Sequence, residues 1–141
     1  MNNILIDTCY WFALFDNRDS NHVKASSMME YLEIGQLIIP FPTLYETLNT
    51  RFVNKPKWME SFENILNRDN IHYLDDSHYK NIALSLMISS PTRRERPMSL
   101  VDLIIRLILE DVDNRIQYLI SFNKRDFIDL CNKKGIPLID S

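Results

Sequence analysis

The stretch Ile4-Leu5-Ile6-Asp7-Thr8 decides how the chain folds. Three aliphatic residues in a row read as a strand, and the run stops on a carboxylate. A strand that is apolar on both faces belongs in the middle of a parallel sheet, covered from either side. Open α/β sheets place their chemistry at the carboxyl ends of such strands. Asp7 therefore stands where a charged acid is costly unless something positive meets it.

Working outward, further short apolar runs follow the same form. Leu37-Ile38-Ile39 is a second buried strand, ended by Pro40 and Pro42. Ile71 to Leu74, Tyr118-Leu119-Ile120 and Pro137-Leu138-Ile139 read as three more. The segments between them carry helical spacing. Trp11 to Phe15 is apolar and packs under the sheet. A helix runs from His22 to Glu33, capped by Ser20 or Asn21 and stopped by Gly35. Thr43-Leu44-Tyr45-Glu46 opens another, to about Phe52. Trp58, Met59, Phe62, Ile65 and Leu66 form an amphipathic helix. Tyr79, Ile82, Ala83, Leu86 and Met87 follow a cap at Asp75 to Ser77. Ser99 to about Asp113 is the strongest helix, and Asn123 opens the last, ended by Gly135. Strands alternating with helices predict a parallel sheet with helices on both faces.

Composition narrows the class. The 141 residues are enough for one domain with a real core, and 45% of them are apolar. The longest apolar runs are too short to span a bilayer, so no membrane is expected. The N-terminus lacks a basic region and a cleavage pattern, which makes a cytoplasmic protein the default. Cys9 and Cys131 offer neither metal spacing nor a disulfide framework, and Cys9 reads as a small buried hydrophobe. The net charge of −3 argues against a general nucleic-acid coat protein but leaves room for an enzyme. With only Gly35 and Gly135, no phosphate-cradling glycine loop exists, which excludes the common nucleotide-cofactor enzymes.

Three further acids share a local form. Thr43-x-x-Glu46, Ser99-x-x-Asp102 and Asn123-x-x-Asp126 each set a capping residue three positions before an acid. Each reads first as a capping box, which satisfies free backbone N–H groups. Yet the helices that carry them start at the carboxyl edge of the sheet, the edge of Asp7. Two like charges about 4 Å apart cost about 4 kcal/mol at an effective dielectric of about 20. Helix dipoles return only about 0.3–1 kcal/mol each. Either some carboxylates are protonated or a cation is bound. An all-oxygen site suits Mg²⁺ or Mn²⁺, and the scattered His22, His72 and His78 offer zinc no home. A hard divalent ion in an acidic cleft is suited to phosphodiester hydrolysis.

At this point the chain resembles the PIN-domain superfamily, and within it the ribonuclease toxins of VapC type. The matching pieces are Ile6-Asp7-Thr8, Asp16 to His22 with Lys24-Ala25, Pro42 to Leu48, Ser99 to Ile104, and Ile120 to Phe127. Their order and spacing agree over essentially the whole chain. The resemblance implies one PIN-like nuclease domain over residues 1–141. It implies an α/β fold, a three-layer α/β/α sandwich around a short, mostly parallel sheet of four to five strands. It implies Mg²⁺- or Mn²⁺-dependent endonucleolytic cleavage of RNA. Asp7, Glu46, Asp102 and Asp126 become the catalytic acids, with Asp7 and Asp102 the principal metal ligands and Glu46 a further one. Thr8, Ser121 and Asn123 become positioning groups for water or substrate. Asn123 departs from the commonest pattern, in which an acid stands there; its carbonyl oxygen can still reach a metal or its waters. The partners implied are an RNA substrate and a cognate antitoxin, with a homodimer compatible.

Arg93, Arg94 and Arg96, with Lys124 and Arg125, are candidate contacts to RNA phosphates, or else a solvated face. Trp58, Met59 and Phe62 read as core before they read as a groove for a partner. Two other readings compete with the nuclease. One is an RNA-binding or interaction module on the same fold, with catalysis weakened by Asn123. The other is a phosphotransfer or receiver domain. Against the latter, Asp7-Thr8-Cys9 lacks a second aspartate two residues on, and the paired acids of a receiver are missing.

Overall fold

In a computed structural model, which describes residues 1–89 and 98–141, five strands form one parallel sheet. They are β1 (Asn2–Ile6), β2 (Gly35–Pro40), β3 (Ile71–Leu74), β4 (Ile116–Ile120) and β5 (Leu138–Ile139), in the spatial order β3-β2-β1-β4-β5. β1 sits at the centre, between β2 and β4. Side chains alternate across it. Ile4 and Ile6 join one buried cluster, and Leu5 joins the other. Leu37 and Ile39 against Ile38 repeat the alternation in β2, as Ile120 against Leu119 does in β4.

The first cluster is covered by α1 (Thr8–Phe15), α2 (His22–Ser27), α3 (Tyr31–Ile34), α4 (Phe41–Thr47), α5 (Thr50–Val53) and α6 (Pro56–Leu66). It is rich in aromatic rings: Trp11, Phe52 and Phe62 are fully buried, and Phe62 meets Trp11 tilted and Phe52 edge-on. The second is covered by α7 (Lys80–Ser89), α8 (Leu100–Glu110) and α9 (Lys124–Lys134), and is mainly aliphatic. The result is the three-layer α/β/α sandwich that the alternation of elements predicts. Phe62 belongs to the first core, with Trp58 and Met59 packed against it, so these residues are core.

Trp11 to Phe15 packs against the sheet as expected, within a helix that begins directly at Thr8. Several other local expectations are corrected. The helix expected over His22 to Glu33 is broken after Ser27 and resumes at Tyr31. Asn21 stands before it without a side-chain cap. Gly35 does not close it in a left-handed turn. Its backbone is extended, and it opens β2 instead. Its missing side chain serves close approach: a Cβ there would stand 2.7 Å from the carbonyl oxygen of Asn2 and from Ile4 Cδ1. The helix expected to run from Thr43 to Phe52 begins at Phe41 and is interrupted at Leu48 and Asn49. Asn49 caps the new start by accepting from the Phe52 N–H. Gly135 does end α9 in the left-handed region, at φ 68°. Arg93, Arg94 and Arg96 lie outside the described residues.

Candidate active site

Asp7 is the first residue beyond β1. Its N–H donates to the carbonyl of Ile120, which prolongs the pairing of β1 with β4 by one residue. Its side chain then turns to cap α1, where Oδ1 accepts from the Thr8 N–H at 2.8 Å. Oδ2 accepts from two donors, Ser121 Oγ at 2.8 Å and Cys9 Sγ at 3.2 Å. The residue is only 4% exposed. Burial raises its carboxyl above the ordinary range, against the pull of the Ser121, Cys9 and Thr8 donors. The nearby charge of Asp126 adds to the rise.

The other acids converge on it. A cleft of about 270 Å³ at the carboxyl edge of the sheet is lined by Asp7, Thr8, Cys9, Phe12, Glu46, Ser99, Asp102 and Asn123. Asp102 stands in the first turn of α8, where its N–H donates to Ser99 Oγ at 3.1 Å. Its carboxyl is pushed up to about 6, first by burial and then by the charges of Asp7, Asp126 and Glu46. That electrostatic signature shows four acids sharing one field. No basic side chain lines the cleft among the described residues.

Glu46 reaches the cleft from α4 and accepts from Thr8 Oγ1 at 2.7 Å. Thr43-x-x-Glu46 is therefore not a capping box. Thr43 lies inside the helix and donates to the carbonyl of Pro40. Asn123-x-x-Asp126 departs from one as well. Asn123 precedes α9 without capping it, and its Nδ2 donates to Asp126 Oδ2 at 2.6 Å. Asp126 is not among the residues that line the cleft, and it acts on Asp7 and Asp102 through its charge. Ser121 is buried beneath Asp7, and its Oγ also accepts from the Asn123 N–H at 2.9 Å. A continuous chain of hydrogen bonds thus runs from Asp7 through Ser121 and Asn123 to Asp126.

Three lining residues were not singled out as site residues from the sequence: Cys9, Phe12 and Ser99. Phe12 follows Thr8 by one helical turn, so the helix beginning at Thr8 was the signal. Cys9 is more than the small buried hydrophobe expected. It is half-buried, donates to Asp7 and accepts from the Phe122 N–H at 3.4 Å. Burial and the charge of Asp7 push its thiol up to about 12.

The donor set fits a hard cation in kind: carboxylate oxygens from three elements, an amide and two hydroxyls. As the side chains stand, no three of the described His, Cys, Asp or Glu residues are arranged to hold an ion. The acids are engaged elsewhere. Glu46 is turned to Thr8, Oδ2 of Asp7 is turned inward, and Asp126 is engaged by Asn123.

No protein-family model and no curated protein sequence matches the chain. Among solved structures, the crystal structure of Mycobacterium tuberculosis VapC20, described as a sarcin-ricin loop cleaving toxin, is similar with a TM-score of 0.69. The likeness covers 89% of this chain and 94% of that chain, at 17% sequence identity. Among the described residues no helix is long and apolar enough to cross a membrane. With its parallel sheet, two helical layers and acid-lined carboxyl edge, the chain has the PIN-like fold of VapC20.

Proposed function

We propose that the chain is a divalent-metal-dependent endoribonuclease that hydrolyses RNA phosphodiester bonds, formed by a single domain over residues 1–141. The observation that carries this reading is the shared field of the acids. Asp7, Glu46 and Asp102 come from three separate elements to one cleft, where burial first, and then the charges of Asp7, Asp126 and Glu46, lift Asp102 to about 6. Carboxylates gathered against repulsion, with no basic side chain among the described lining residues, suit a site that takes Mg²⁺ or Mn²⁺.

Asp7 and Asp102 would hold the ion, with Glu46 as a third ligand once it leaves Thr8. The ion would supply an activated water and neutralise charge on the phosphate. The chain's own groups do the rest. Ser121 and the Thr8 N–H fix the orientation of Asp7. Thr8 holds Glu46 at the cleft wall. Asn123 fixes Asp126, whose charge raises the proton affinity of both inner acids. Thr8 and Asn123 line the cleft and are placed to orient water or a phosphate oxygen.

The toxin role rests on likeness of fold to VapC20, which is described as a toxin. We extend it here to a cytoplasmic enzyme held in check by a cognate antitoxin. Labelled RNA incubated with the purified chain tests the activity. Cleavage is expected with Mg²⁺ or Mn²⁺, not with EDTA, and Asp7→Asn or Asp102→Asn should lower it at least ~100-fold. Metal-independent cleavage, or none by the unaltered chain, overturns the reading. In the latter case RNA binding without cleavage would favour the binding module, a reading favoured by the engagement of Asp126 with Asn123.

A further inference from the structure

Three aromatic side chains stand open to solvent among the described residues: Phe41 at 42%, Tyr45 at 75% and Tyr73 at 44% exposure. They are not scattered. Phe41 and Tyr45 lie one turn apart on α4, with ring centroids 5.6 Å apart at 69°. Tyr73 on β3 meets Phe41 at 6.4 Å and 62°. Every other described aromatic side chain among Phe, Trp and Tyr is buried or half-buried. A cluster that gathers all the exposed rings is costly to leave wet, and marks a contact surface.

The place of the cluster points to its occupant. Phe41 follows the carboxyl end of β2, and Tyr73 lies near that of β3, opposite Ile39. This is the sheet edge that holds the acid cleft. Tyr45 directly precedes Glu46, which lines it. β3 is two strands from β1, about 10 Å at ordinary sheet spacing. A chain of nucleotides leaving the cleft on the β3 side of this edge would meet the rings.

Charge supplies the second argument. The chain carries −3 overall, and among the described residues its cleft is lined by acids without a basic side chain. Phosphate contacts, the usual source of nucleic-acid affinity, are weak in such a field. Stacking of bases on aromatic faces needs no positive charge and tolerates any sequence. It also requires unpaired bases, because a duplex hides their faces.

We propose that Phe41, Tyr45 and Tyr73 form a stacking platform for unpaired RNA bases beside the cleft. The inference rests on the reading of the chain as an RNA enzyme, and it assigns the side chains that would hold bases outside the cleft. Binding of a fluorophore-labelled, unstructured RNA oligonucleotide is measured by anisotropy with Ca²⁺ present, and compared with a hairpin of equal length. The unaltered chain should prefer the unstructured RNA, with a shallow salt dependence. Tyr45→Ala should weaken binding roughly 5- to 100-fold, Tyr45→Phe should retain it, and Phe41→Ala with Tyr73→Ala should weaken it further. Circular dichroism checks that these surface changes leave the fold intact. Unchanged binding by Tyr45→Ala overturns the platform. So does equal or absent binding of both RNAs by the unaltered chain, or self-association lost in the variants while RNA binding persists. The nuclease reading fails separately: Tyr45-dependent binding without metal-dependent cleavage removes the nuclease and leaves the platform. Cleavage whose KM is indifferent to Tyr45→Ala removes the platform alone.

Discussion

Ser121 donates its hydroxyl to Asp7 Oδ2 at 2.8 Å across 114 residues of sequence. Both side chains are buried, and the bond ties the carboxyl end of β1 to that of β4. Of the bonds that hold down the proton affinity of Asp7, this one has the largest effect. Ser121→Ala leaves a buried carboxylate one donor short. A cost of about 1–3 kcal/mol is expected at neutral pH, read from the urea midpoint with and without the change. Cleavage should fall as well, since Asp7 loses its orientation. A stability change within about 0.5 kcal/mol, the range of an ordinary surface substitution, would show that Cys9 and Thr8 suffice.

The pH dependence of stability follows from Asp102. Its folded pKa lies above its ordinary value of 3.8, at about 6. Between these values the folded chain keeps a proton that the unfolded chain has released. The stabilisation is complete below the unfolded pKa, declines as pH rises through this window and is gone above the folded pKa. Asp102→Asn removes the titration. In EDTA at pH 7 the variant should be more stable than the unaltered chain, on the order of 1 kcal/mol after discounting for the partly exposed position. The advantage should vanish towards pH 4. Asp16 and Asp129, whose carboxyls are lowered by hydrogen bonds, gain stability in the opposite direction, but equally in both proteins. Denaturation at a series of pH values measures the difference, and a flat difference would place Asp102 outside the shared field.

Gly35 supplies a backbone prediction. Gly35→Ala would drive a methyl group to 2.7 Å from the Asn2 carbonyl oxygen, which cannot rotate away. Strand β1 would have to move from β2 where Asn2 pairs with Gly35. A loss of about 1–3 kcal/mol is expected. Were Gly35 a left-handed helix stop, asparagine would be tolerated there. The extended backbone excludes that, so Gly35→Asn should destabilise at least as much as Gly35→Ala in thermal or urea denaturation.

The core strands were legible because burial on both faces leaves a run of aliphatic residues that admits few other readings. Asp7 was legible for the same reason, as the point where such a run ends. The acids were legible as a set, since each lies on a helix that follows or leads into a strand of one parallel sheet, and that topology brings them to one edge. Their partners were not. That Thr43 lies inside α4 depends on Phe41 and Pro42 entering the helix, where proline in the first turn costs nothing. That Asn123 serves Asp126 and not the backbone depends on the non-helical turn before α9. Gly35 misled because a glycine after a helix and a glycine before a strand look alike until the neighbouring strand is in place. The ring cluster was not legible because Tyr73 is far from Phe41 in sequence, and only the pairing of β2 with β3 unites them.

Metal binding can be tested without RNA. An ion that binds only the folded acid cluster stabilises the chain by mass action. At a hundred times its dissociation constant the gain is about 2.7 kcal/mol, a rise of several degrees in Tm for a chain of this size. Mg²⁺ or Mn²⁺ should therefore raise Tm in proportion to the logarithm of its concentration, once saturation is passed. Asp7→Asn and Asp102→Asn should each abolish most of that rise while keeping or increasing the metal-free Tm, because a buried or half-buried charge is removed. This opposition separates a lost ligand from a damaged fold, which would lower both values. Glu46→Gln should have a smaller effect, since its carboxylate is exposed and must first leave Thr8. A Tm indifferent to millimolar Mg²⁺ and Mn²⁺ alike would mean that the acids are relieved by protons and not by an ion, and the hydrolytic reading would lose its support.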